Sequence, residues 1–137
     1  NTSTIQKRLD AVVKFQSAGY DVHLNFSPVI VYDGWLDDYK ELFEQVQSTM
    51  QRDMWSYTAV KAEVIFLTHN KKKHERNIIT MAPGEDYLWT PHIQEDKISQ
   101  YGGNNVRYIS YLKDYFITEW TNWHDIIIPW NTIRYIF

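Results

Sequence analysis

The hydrophobic positions of the chain fall into two periods. In residues 5–17, Ile5, Leu9, Val12 and Val13 recur at helical spacing, behind a Ser3/Gln6 pair spaced as a capping box. Gly19 closes this predicted helix, because glycine adopts left-handed backbone freely. Residues 21–31 then alternate. Val22, Leu24 and Phe26 lie on one face, and His23, Asn25 and Ser27 on the other, before the apolar run Pro28-Val29-Ile30-Val31. The pattern predicts a strand whose polar face meets either water or a ligand. Asp33-Gly34 marks a turn. From Trp35 to Gln51 the stripe Leu36, Tyr39, Leu42, Phe43 and Val46 predicts a second helix.

Residues 60–68, VKAEVIFLT, read as a second strand, and NKKKHERNII as a third helix closed by Pro83-Gly84. Residues 85–107 are rich in turn formers and predict a β-hairpin with KISQY and VRYIS as its arms. Tyr108 to Trp123 is a fourth predicted helix. The end, IIIPWNTIRYIF, reads as a terminal strand whose first part Pro129 demotes to an edge or a loop. Strands alternating with helices imply an α/β fold with a parallel sheet, here one domain over residues 1–137. Parallel sheets need cover on both faces, so three strands predict part of a larger barrel or sheet.

Composition narrows the function classes. A chain of 137 residues that is 44% hydrophobic can bury a real core. No run is long and apolar enough to predict a transmembrane helix. NTSTIQKRLD lacks a basic-then-apolar signal pattern, and without an initiator Met the chain reads as a processed or excised piece. There is no cysteine, which excludes thiolate metal or cluster ligands from this chain and fits a reducing compartment. A net charge of −3 argues against nucleic-acid binding by bulk charge but leaves room for a local basic patch.

The stretch RLDAVVKFQSAGYDVHLNFSPVIVYDGWLDDYKELFEQV resembles the spore photoproduct lyase family. The resemblance rests on an ordered set: Ala18-Gly19-Tyr20, Ser27-Pro28-Val29, Gly34-Trp35 and Tyr39-Lys40-Glu41-Leu42-Phe43. The terminal IPWNTIRYIF is similar to the end of the lyase-like members. The resemblance implies a radical S-adenosylmethionine protein with a partial (β/α) barrel that repairs a thymine dimer lesion in DNA. It also implies a four-iron four-sulfur cluster held by three cysteines of a CxxxCxxC loop, in the N-terminal half of the family. A chain without cysteine then corresponds to the C-terminal half, with an inserted β-hairpin, and is expected to be inactive alone. Its implied partners are the N-terminal half of the barrel and DNA carrying a pyrimidine lesion, in the cytoplasm and not at a membrane.

The resemblance assigns candidate roles. Ser27 and Pro28, at the C-terminal end of the first strand, are expected beside the adenosine part of S-adenosylmethionine, with Asn25 lining the lumen below. His23 lies deeper, where a hydrogen-bonded core histidine is common. In SQYGGNNVRY, the family carries an Arg-Tyr-Gly segment on a hairpin that wedges at the lesion. Here Gln100 stands in the Arg place, with Tyr101 and Gly102 kept. Gln cannot pair with phosphate as a cation does, so Arg107 is expected to supply a phosphate contact while Tyr101 stacks on a base. Lys71 and Lys72, in KKKHER, are either a solvated helix face or a DNA-backbone contact.

His69, His74, His92, Glu95 and His124 show no short metal-ligand spacing, and no metal site is predicted; His92 with Glu95 is the nearest pair. Asp37-Asp38 reads as a structural helix start. Trp55, Trp89, Trp120, Trp123 and Trp130 read as core or interface. The rival function is a non-enzymatic α/β module that binds nucleic acid or a protein. A self-contained enzyme ranks last, since no nucleophile–base pair is visible.

Overall fold

The computed structural model describes residues 2–53 and 56–137. Three parallel strands, β1 (His23–Val29), β2 (Lys61–Phe66) and β6 (Thr132–Ile136), form one sheet in the order β1-β2-β6. The parallel α/β expectation therefore holds. Helices α1 (Ile5–Ser17), α2 (Trp35–Asp53) and α5 (Ser110–Ile127) cover one face of this sheet. Leu24 and Phe26 from β1, and Ala62, Val64 and Phe66 from β2, point into that layer and are buried.

Aromatic side chains dominate this core. Phe43 meets Phe26, Trp120 and His124 edge-on, with ring centroids 5.8, 5.0 and 5.6 Å away. Such edge-to-face pairs add to the burial of the rings themselves. Trp120 is fully buried, as expected. Trp123 lies beneath the Lys40 ammonium at 4.0 Å, and Trp130 packs on Tyr57. Trp55 lies outside the described residues.

Several element ends depart from expectation. Thr4, not Ser3, caps α1, and its hydroxyl accepts from the Lys7 amide. Gln6 instead reaches Asp10 and Thr49, so no capping box forms. Gly19 does close the helix, at φ +91°. The strand expected over 60–68 breaks at Leu67. Its continuation, β3 (Thr68–Asn70), turns into a second sheet. That sheet is antiparallel in the order β3-β5-β4; β4 (Gln94–Ile98) and β5 (Asn104–Tyr108) form a hairpin as expected, with both arms starting earlier than the predicted 97–101 and 106–110.

The fourth helix starts later, because Tyr108 belongs to β5 with its hydroxyl accepting from the Val31 amide. It also runs on to Ile127, so the first part of IIIPWNTIRYIF is helical rather than extended. Buried His124 anchors that last turn. Its Nε2 pairs with Asn131 Oδ1 at 3.0 Å, and Asn131 Nδ2 donates to the Val60 carbonyl at 2.7 Å. Helices α3 (Lys71–Ile79) and α4 (Glu85–Leu88) lead from β3 to β4 within the second sheet, and Asn70 caps α3 through the Lys73 amide.

Candidate functional site

The face of the parallel sheet away from the helices carries a polar network. Glu63, alone among β2 residues in being acidic, sits at its centre. The ladder aligns Asn25 with Glu63 on one side and Tyr135 with Glu63 on the other. Between β2 and β6 the register shifts after Ala62, which pairs with Ile133. The skipped residue is Arg134, as at a β-bulge, where two residues face one. Both Arg134 and Tyr135 thereby reach one carboxylate: Arg134 Nη1 donates to Glu63 Oε1 at 2.5 Å, and Tyr135 Oη to Oε2 at 2.7 Å.

His23 completes the network from β1. Its Nδ1 accepts from Arg134 Nη1 at 3.0 Å and lies 3.3 Å from Glu63 Oε1. With Nδ1 accepting, the ring proton is on Nε2, 3.4 Å from Asp21 Oδ2. The Tyr135 hydroxyl, outweighing partial desolvation together with Arg134, holds the Glu63 carboxyl below its ordinary range. The same bond pushes the Tyr135 phenol up. Glu63 is thus a fixed anion, presented by a rigid strand.

Asn25, Ser27 and Pro28 are exposed along β1. Neither Asn25 nor Ser27 has a side-chain hydrogen-bond partner among the described residues. All three line a groove of about 360 Å³ that runs beside β1, with Ile5, Leu9 and Val12 of α1 and Leu42 of α2 as its apolar wall. A second hollow of about 260 Å³ continues it past Pro28 to Ile30, Tyr32 and Asp38. Only β2 pairs with β1 among the described residues, so the groove follows an unpaired strand edge.

The hairpin residues are separate from this face. Ser99 and Gly103 close the turn through Ser99 N to Gly103 O at 3.0 Å, and Gly102 takes φ +77°. Tyr101 projects from the tip at 94% exposure, beside exposed Gln100. Arg107 and Lys71 both have acidic partners. Arg107 Nε donates to Glu95 Oε1 at 2.9 Å, and Lys71 Nζ lies 2.8 Å from Asp96 Oδ1. Lys72 is exposed and has no such partner among the described residues. Glu95, engaged by Arg107, does not converge with His92; that nearest metal pair is not formed.

A cluster that spacing alone did not suggest lies at the base of this sheet. His69 from β3 and His74 from α3 both approach Glu85 Oε1, at 2.9 and 2.5 Å, and Asn77 Nδ2 donates to Oε2 at 2.5 Å. Burial raises the Glu85 carboxyl, but the Asn77, His74 and His69 bonds outweigh it and leave the group lowered. The KKKHER run is therefore not one solvated face, since His74 turns inward.

A parallel sheet with one helix-covered face and one open polar face, joined to an antiparallel hairpin sheet, defines a mixed α/β protein. The family model for spore photoproduct lyase matches residues 1–136, and the chain belongs to that family. The spore photoproduct lyase of Bacillus subtilis (strain 168) is 34% identical over 53 residues, which is 39% of this chain and 16% of the relative. A solved spore photoproduct lyase variant with bound AdoMet and dinucleoside spore photoproduct superimposes with TM-score 0.86 at 20% identity. It is covered over 39% of its length by 100% of this chain. A spore photoproduct lyase complexed with dinucleoside spore photoproduct gives the same values. The chain thus spans well under half the length of these relatives. Among the described residues, no helix is long and apolar enough to cross a membrane.

Proposed function

We propose that this chain is the C-terminal part of a radical S-adenosylmethionine lyase that repairs a DNA photoproduct, completing a partial (β/α) barrel and facing cofactor and DNA. The observation that carries this reading is the open polar face of the parallel sheet beside an unpaired β1 edge. Parallel strands are rarely left bare on one face, and an unpaired edge invites a further strand. The N-terminal half of the barrel is the natural occupant of the groove along β1, whose wall is apolar.

The residues present fit the adenosine part of S-adenosylmethionine. Asn25 and Ser27 offer free amide and hydroxyl groups at a strand end, where barrel ligands sit. Ser27 and Asn25 would hold it by hydrogen bonds, with Pro28 shaping the rim. When bound, the cofactor supplies the radical that begins lesion reversal. The iron–sulfur cluster does not fit this chain, which has no cysteine ligand, and it belongs to the absent half.

On the hairpin, Tyr101 stacks at the lesion, beside Gln100 and Gly102. Lys72 is free to meet phosphate, whereas Arg107 and Lys71 must exchange Glu95 and Asp96 for it. The coding region upstream of Asn1 tests the whole reading. A CxxxCxxC segment there supports it, and an upstream coding region without one overturns it.

A further inference from the structure

We propose that His69, His74 and Glu85 bind a single divalent transition-metal ion of the zinc class, which braces the hairpin sheet. The three come from three different elements, β3, α3 and α4, yet a ring nitrogen of His69, a ring nitrogen of His74 and a Glu85 oxygen all lie within 4.8 Å of one another. Two imidazoles and one carboxylate form a donor set suited to Zn²⁺ and unlike the all-oxygen shells of Mg²⁺ or Ca²⁺. Hydrogen bonds to Glu85 Oε1 hold the two rings together.

Charge balance points to a cation. Glu85 is 5% exposed, and among the described residues neither lysine nor arginine pairs with it. A buried carboxylate is normally offset by a paired cation or a metal. The surroundings also resemble a supporting shell. Asn77 occupies Oε2, which leaves Oε1 aimed at the two rings. Trp89 stacks on the His74 imidazole at 4.1 Å and 9°, fixing its plane.

Tetrahedral zinc with bonds of about 2.0–2.1 Å holds its ligand atoms roughly 3.3 Å apart. The present separations from Glu85 Oε1 are 2.9 and 2.5 Å, so relative to that oxygen each nitrogen moves outward by under about 1 Å. Each neutral ring then carries its proton on the nitrogen away from the metal. His74 is 21% exposed, and water would take the fourth position. Because β3 pairs with β5 and β5 with β4, the ion would tie α3 and α4 to the sheet that carries Tyr101.

The test uses the tag-free chain, stripped with a chelator and titrated with Co²⁺ as a visible probe. We expect one equivalent to give the intense absorption of four- or five-coordinate Co²⁺, displaced by Zn²⁺. His74→Gln should weaken binding by about 10–100-fold, and Glu85→Gln at least as much. His92→Ala, at an exposed histidine outside the cluster, should leave it unchanged. The weak absorption of hydrated Co²⁺ at one equivalent, or affinity untouched by His74→Gln, would overturn the proposal and leave a hydrogen-bonded triad. Should either variant lose its circular-dichroism signal, the unaltered chain decides: its Tm rises with Zn²⁺ and levels at one equivalent, or the proposal fails.

Discussion

Tyr135 on β6 and Glu63 on β2 are joined by a 2.7 Å hydrogen bond across a ladder that skips Arg134. The skip lets two consecutive residues serve one carboxylate, so the open face of the sheet displays an oriented Glu63–Arg134–His23 set rather than a scatter of charges.

This set makes acid stability depend on Glu63. Its folded pKa is depressed, so its contribution is complete above the ordinary value of 4.5 and fades as pH falls through the lower folded value. Denaturant midpoints measured from pH 6 down to pH 2 should drop below about pH 4.5 in the native chain. Glu63→Gln should flatten that limb. An unchanged limb would mean that Tyr135 and Arg134 leave the group unperturbed.

At the other end of β6, Asn131 bridges buried His124 and the Val60 carbonyl. Asn131→Ala takes this partner from His124 Nε2, whose Nδ1 keeps Asp125, and from the Val60 carbonyl, at about 1–3 kcal/mol by the usual cost of an unsatisfied buried group. Urea unfolding reads this directly. A loss within about 0.5 kcal/mol, the range of ordinary surface changes, would show that water replaces the amide.

The hairpin separates stability from DNA affinity. Tyr101 is almost fully exposed, so Tyr101→Ala should leave the Tm unchanged while weakening binding to single-stranded DNA by about 1–3 kcal/mol, the worth of one base stack. Arg107→Ala removes a half-exposed pair with Glu95, a loss of at most about 1 kcal/mol in stability. Titration at two salt concentrations should show Arg107→Ala lowering the salt slope by about 0.7–0.9. Equal slopes would place Arg107 off the DNA.

Along β1, Ser27→Ala removes one hydroxyl at the cofactor rim. In the complete enzyme AdoMet affinity should fall by roughly 0.5–1.5 kcal/mol, one hydrogen bond, as read by equilibrium dialysis. Unaltered affinity would move the cofactor away from this strand end.

Much of this architecture is legible in the residues. Leu24/Phe26 against His23/Asn25/Ser27 marks β1 and its two faces, and Gly102-Gly103 marks the hairpin. The third strand of the second sheet is not legible, because Thr68–Asn70 continues an apolar run whose break at Leu67 is set by pairing with Asn105–Arg107, far along the chain. Ile126–Ile128 reads as strand by β-propensity, yet buried His124 holds the helix to Ile127. Glu63, Arg134 and Tyr135 were missed because a bulge, which no period encodes, brings them together; the lone Glu within VKAEVIF was the available signal. His69, His74 and Glu85 were missed because metal spacing is sought within one element, and these lie on three.

The central claim is that this chain supplies one wall of a repair site whose cluster lies in another segment. Its most direct test is anaerobic turnover of dinucleoside spore photoproduct, with AdoMet and a reductant, by this chain co-produced with a cluster-bearing N-terminal segment of the family. The account predicts a stable complex that reverts the photoproduct, with neither segment active alone. A loaded cluster with no complex, or a complex that leaves the photoproduct intact, would contradict it.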